Sequence, residues 1–218
     1  MTFTFVFVFG AWVFSLCVHE FSHAIVAYQG GDYTVKDKGY LSFNPLKFMH
    51  PGLSIGLPLF FLLIGGIGLP GGCVYIERHL LRSRGWDCLV SLAGPLSNLG
   101  LAILLSLPFS LGFVEFTTEN PLWNAIAFLV MLQVFAVILN MLPVPGLDGF
   151  GALSAWMDEL LRQKIYRYSN MAFIGLFVLI FYVDGFNKLL WGSVMFVTRI
   201  LGVPPEMAWA GYEEFRLF

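Results

Sequence analysis

Charge is what this chain has least of. Only 12 lysines and arginines and 14 aspartates and glutamates occur in 218 residues, beside 58% hydrophobic residues. A soluble domain carries charge on roughly a quarter of its residues, so a solvated globule is excluded. The formal net charge is −2. With no basic face to neutralise phosphates, a nucleic-acid partner is excluded too. Cysteine is equally sparse: Cys17, Cys73 and Cys88 lack CxxC spacing. They read as buried or free thiols, with no disulfide framework and no cysteine zinc cluster. Internal repeats and hydrophilic linkers are missing as well. The first apolar run has neither a basic n-region nor a small-residue cleavage site, so it is expected to stay as an anchor. One membrane-embedded domain over 1–218 is the expectation.

Long apolar runs are what the chain has instead. They cover Phe3–Tyr28, Trp86–Phe113, Pro121–Leu142, Ser169–Val183 and Asn187–Leu201, with a glycine-punctuated run at Gly52–Gly72. About twenty helical residues cross a ~30 Å hydrocarbon core. The pattern predicts an all-α integral membrane protein, a polytopic bundle of about five to six membrane segments with one re-entrant. Tyr40–Phe43, between Gly39 and Asn44–Pro45, adds an expected small β-hairpin within Tyr33–Pro45. The tail from Pro204 reads as interfacial.

Basic residues orient the bundle. If Gly52–Gly72 dips in and returns, Lys36, Lys38, Lys47, Arg78, Arg82 and Arg84 share one face. Arg162, Lys164, Arg167, Arg199 and Arg216 are expected to join them, leaving Lys188 opposite. The positive-inside rule then favours the re-entrant arrangement with the N-terminus outside.

Against this background one heptapeptide stands out, Val18–His19–Glu20–Phe21–Ser22–His23–Ala24. Positions i and i+4 share a helix face, so His19 and His23 can present two imidazole nitrogens to one ion. Glu20 can reach a water on that ion, and His-Glu-x-x-His on a helix is the metalloprotease arrangement. An accidental cluster is the bland alternative. Ionisable groups inside a span cost roughly 2.5–3.5 kcal/mol each on insertion scales and normally mark function, which weighs against accident.

Further along, Pro143, Pro145 and Gly146 must break the helix that ends near Leu142. Asp148 follows the break, either as a third ligand or as the N-cap of a helix starting near Phe150. Gly94–Pro95 reads as a kink and Asn98 as an interhelical hydrogen-bonding group. In this topology His19, Asn98 and Asp148 approach the same membrane depth from three spans. A metal or ion transporter lined by His19, His23 and Asp148 is the competing class, since broken helices suit it as well.

Three motifs in order resemble the site-2 protease family of intramembrane zinc metalloproteases, in its compact form without PDZ or CBS modules. They are His19–Glu20–Phe21–Ser22–His23, Gly94–Pro95–Leu96–Ser97–Asn98, and Asn140 through Pro143, Pro145, Leu147, Asp148 and Gly149. The resemblance implies Zn2+ held by His19, His23 and Asp148, with Glu20 as general base. It implies Asn98 and Asn140 as groups contacting the substrate backbone or the developing oxyanion. The Tyr33–Asn44 segment resembles the family's β element, thought to hold unwound substrate. A transmembrane protein or peptide substrate and membrane lipid are the implied partners. The implied setting is a prokaryotic cell membrane with the active site toward the cytoplasm.

Overall fold

A computed structural model of the chain describes residues 3–44, 47 and 74–216. The re-entrant reading of Gly52–Gly72 lies outside the described residues. Within them the elements are α1 (Phe3–Gly30), α2 (Thr34–Asp37), a 3-10 turn at Arg78–Leu80, α3 (Arg84–Ser110), α4 (Pro121–Asn140), α5 (Asp148–Ser154), α6 (Glu159–Tyr166), α7 (Ser169–Tyr182), α8 (Asp184–Ile200) and α9 (Pro205–Phe215).

Helices α1, α3 and α4 are long and apolar enough to cross a membrane, and the bent pair α6–α7 makes a fourth span if it is counted as one. That count is of the described residues. Helix α7 has 14 residues and α8 has 17, which at about 1.5 Å per residue fall short of a ~30 Å core. Helix α4 is the centre. It is apolar on every face, and Phe128, Leu129, Val130, Met131 and Val134 are all buried, as befits a helix surrounded by others. Its start is sharply set: Asn120 accepts hydrogen bonds from the Leu122 and Trp123 backbone N–H groups, and Pro121 occupies the first turn. Helices α1 and α3 pack against α4 and turn Phe14, Leu96, Ile103, Leu104 and Leu107 outward. In water such a surface would be a liability; lipid tails solvate it. Across the α1–α4 contact, buried Gln133 donates to Ser15 Oγ at 2.9 Å.

The expected β-hairpin is corrected by the structure: no strand occurs among the described residues. Asp32 decides the local fold. Its carboxylate accepts the Thr34 backbone N–H at 3.0 Å and the Thr34 hydroxyl at 2.6 Å, starting a helical turn. Gly39, at φ 76°, then closes that turn, with Tyr40 N–H donating to Val35 O at 2.9 Å. Short-range side-chain capping wins over the weak β signal of Tyr40–Phe43. Phe43 stacks on Phe21 of α1, ring centroids 4.7 Å apart.

The two described flanks of the 52–72 segment meet at one end of the bundle. Arg82 N–H donates to Gly30 O at 2.9 Å, and Lys38 Nζ reaches Tyr75 O at 3.0 Å and Glu77 Oε1 at 2.9 Å. Lys36, Lys38, Lys47, Arg78, Arg82 and Arg84 therefore do share a face. Arg162 joins them by pairing with Asp87 at 3.0 Å. Arg199 and Arg216 do not. The chain after α8 returns to the opposite end, where Gly202 packs on Ser110 and Phe215 stacks on Phe5 at 5.1 Å.

The tail expected to lie along the interface forms α9, with Met207, Ala208 and Phe215 buried. A Cβ on Gly211 would lie 2.1 Å from Asn124 O, so only glycine lets α9 approach α4 this closely. Glu214 accepts from Thr4 Oγ1 at 2.6 Å and Asn124 Nδ2 at 2.7 Å, tying α9 to α1 and α4.

Candidate metal centre

One turn of α1 sets His19 and His23 side by side, with their Nε2 atoms 3.1 Å apart. Both rings are buried. After α4 ends at Asn140, the Pro143–Pro145 break returns the chain toward α1. Gly149 permits the return, since a Cβ there would meet Met141 O at 2.3 Å. Helix α5 then starts on Asp148 itself, with Leu147 at the cap position. The N-cap reading of Asp148 fails, because the carboxylate is turned onto the imidazoles. Its Oδ2 lies 3.2 Å from His19 Nε2 and its Oδ1 lies 3.3 Å from His23 Nε2.

These separations test whether the group fits a metal. Zinc bonds of about 2.0–2.1 Å in tetrahedral array put neighbouring ligand atoms about 3.3 Å apart. The two imidazole nitrogens, 3.1 Å apart, and the Asp148 carboxylate, with one oxygen 3.2 Å from His19 Nε2 and the other 3.3 Å from His23 Nε2, lie near that edge length. His23 Nδ1 lies 2.6 Å from the Val90 carbonyl, which can only accept, so the ring proton sits on Nδ1. Its Nε2 then carries a lone pair toward the shared point, the usual arrangement for a ligating histidine. Among the described residues this trio is the group of histidine, cysteine and acidic side chains able to hold a metal ion.

Glu20, also buried, borders the same cavity. That cavity measures about 320 Å3, with His19, Glu20, His23 and Asp148 on its inner wall, and Val74, Ile76, Arg78, Tyr166 and Phe173 around it. Asn140 borders it. Asn98 does not; it lines a smaller space behind His19, and its Oδ1 has no hydrogen-bond partner.

Several contributors escaped the sequence reading. Gly94, read as part of a kink, is the point where α3 crosses the imidazoles: a Cβ there would lie 2.3 Å from His23 Nε2 and 2.5 Å from His19 Nε2. Val90 acts through its carbonyl, which no side-chain pattern reveals. Asp87 pairs with both Arg78 and Arg162 and so fastens the 3-10 turn and α6 to the start of α3, beside the cavity. An aspartate near the head of an apolar span was the available signal. His79 is exposed, as expected of a loop histidine.

Relatives place this geometry. The chain is 41% identical over 207 residues to the Mycolicibacterium smegmatis protein named "Putative zinc metalloprotease Rip2", covering 95% of this chain and 78% of that one. The Mycobacterium tuberculosis protein of the same name matches at 41% with the same coverage. The chain belongs to the site-2 protease family. A more distant family member, the Bacillus subtilis "Putative zinc metalloprotease YwhC", is 31% identical over 184 residues, 82% of this chain and 81% of that one. No family model matches the chain, and no solved structure does. As a site-2 protease relative the protein is a membrane protein and a metalloprotease, and three of its motif residues, His19, His23 and Asp148, lie together.

Proposed function

We propose that this chain is a zinc-dependent intramembrane endopeptidase hydrolysing peptide bonds in or near transmembrane helices of membrane protein substrates. The observation that carries this is the convergence of His19, His23 and Asp148 within 3.1–3.3 Å of one another, with Glu20 on the same cavity wall. His19 and His23 would hold the ion through Nε2 and Asp148 through its carboxylate. Zinc held there would lower the pKa of a water to about 7 and polarise the scissile carbonyl.

The chain's own groups do the rest. Glu20 accepts the proton of the attacking water on its carboxylate and returns it to the leaving amide nitrogen. Asn140 at the cavity edge offers a side-chain amide to an extended substrate backbone. A helical peptide bond is hidden by its own hydrogen bonds, so substrate must unwind before it enters a cavity of about 320 Å3.

An ion path fits less well. Behind His19 the smaller cavity, about 20 Å3, closes against Trp12, Leu16 and Leu132. Purified protein is expected to cleave a membrane-helix reporter, to lose cleavage on chelation and to regain it with Zn2+. Full cleavage after complete metal removal overturns the reading.

The basic end of the bundle, bearing Lys36, Lys38, Arg78, Arg82, Arg84 and Arg162, faces the cytoplasm of a prokaryotic cell by the positive-inside rule, and the N-terminus faces outward. Lys36→Cys and Arg84→Cys should both be labelled by an impermeant reagent only when the cytoplasmic face is open to it. Labelling from opposite faces, or both from outside, refutes this orientation.

A further inference from the structure

The small cavity behind His19 has a chemical composition that its size makes informative. Four polar residues line it, His19, Glu20, Asn98 and Asn140, each more than nine-tenths buried. Three of them carry a buried polar atom with no partner among the described residues: His19 Nδ1, Asn98 Oδ1 and Asn140 Nδ2. Three such atoms on three helices around one space are too many to leave unpaired, since each forgoes about 1–3 kcal/mol of solvation. The space measures about 20 Å3, just enough for one water, which needs roughly 10–15 Å3 and two to four polar partners.

Donor and acceptor roles are fixed by chemistry. With Nε2 committed to the shared point, neutral His19 carries its proton on Nδ1 and donates. Asn140 Nδ2 donates, and Asn98 Oδ1 accepts. A water accepts from the first two and donates to the third, which leaves one of its protons for a further acceptor.

We infer that Asn98 is a positioning residue that, with one N–H of the Asn140 amide, fixes a single buried water, and that this water receives the His19 Nδ1–H and holds the imidazole in its metal-binding tautomer and orientation, which leaves the rest of the Asn140 amide for substrate. His23 obtains the same service directly from the Val90 carbonyl at 2.6 Å. His19, one turn earlier, has no carbonyl there and uses water, an accepted outer partner for a ligating histidine. The assignment moves Asn98 from substrate contact to ligand support. It rests on His19 being a metal ligand through Nε2.

Zn2+ affinity of the full chain, measured by chelator competition, tests this together with the position of water in a high-resolution structure of the Zn2+-loaded wild type. Asn98→Leu should bind Zn2+ roughly 10–100-fold more weakly, the usual loss for an outer-shell partner. Asn98→Asp, which keeps the acceptor, should stay near wild type or bind more tightly. Unchanged affinity in a folded Asn98→Leu variant with a raised KM overturns the inference in favour of substrate contact. Should that variant not fold, the wild-type structure decides. An ordered water within hydrogen-bond distance of His19 Nδ1, Asn98 Oδ1 and Asn140 Nδ2 supports the inference, and a dry cavity overturns it. A wild-type protein that takes up no Zn2+ refutes the metal reading as well, so the two failures are distinguishable.

Discussion

Glu20→Gln is expected to abolish cleavage of a membrane-helix reporter while leaving the metal content intact. The two side chains have nearly the same shape, and glutamine adds no clash beside the buried ligands. None of the three converging donor atoms belongs to Glu20, so metal uptake should match wild type. An amide cannot take a proton from water at neutral pH. Loss of a general base typically costs about 10²–10⁴-fold in rate, which is ~3–5 kcal/mol of barrier at 1.36 kcal/mol per decade. Reporter kinetics paired with metal stoichiometry read both halves. Cleavage at the wild-type rate would remove Glu20 from the chemistry, whereas loss of metal would make it a ligand instead.

Gly94→Ala is expected to have an effect of similar size by a different route. Alanine should favour a helix over glycine by about 1 kcal/mol, so local propensity predicts a benefit. Space predicts the reverse. The new methyl would sit 2.3 Å from His23 Nε2 and 2.5 Å from His19 Cε1 and Nε2, far inside van der Waals contact. His23 has little room to withdraw, because its Nδ1 is held at 2.6 Å by Val90 O on the same helix as Gly94. Either α3 moves away and takes Val90 with it, or the rings turn and separate their Nε2 atoms. Both outcomes dismantle the donor trio. Stoichiometric metal should be lost and cleavage should fall to background, while circular dichroism still reports a helical protein. Gly100→Ala is the control, because nothing lies within 4 Å of that Cβ. A Gly94→Ala protein with full metal and normal turnover would show that the imidazoles stand farther from α3 than described here.

The parts of this protein legible from sequence are those written in spacing. The i and i+4 histidines of α1 and the proline pair before Asp148 identify the site and bring its three donors within range of one another. What spacing does not encode was misread. Tyr40–Phe43, flanked by Gly39 and Asn44–Pro45, reads as a strand, but one carboxylate, Asp32, recruits the Thr34 N–H and hydroxyl and settles a helical turn just before it. Arg199 and Arg216 were grouped with the other basic residues because helices α7 and α8 were counted as full spans. Their lengths, 14 and 17 residues, leave the final turn of the chain at the opposite end. Gly94 was invisible for another reason. A glycine in a helix announces close approach only once the neighbour is known, and that neighbour lies some seventy positions earlier in the chain. Asp87 with Arg78 and Arg162 was hidden likewise, since three charges on three elements have no common period.

The order in which the donors are strung along the chain has a biological corollary. His19 and His23 lie in the first helix, whereas Asp148 follows the fourth. The two imidazoles are therefore made well before the third donor. Two imidazoles alone make a poor zinc site. A metal ion held by all three donors would tie the two distant helices together, so that filling the site and locking the fold would be one event.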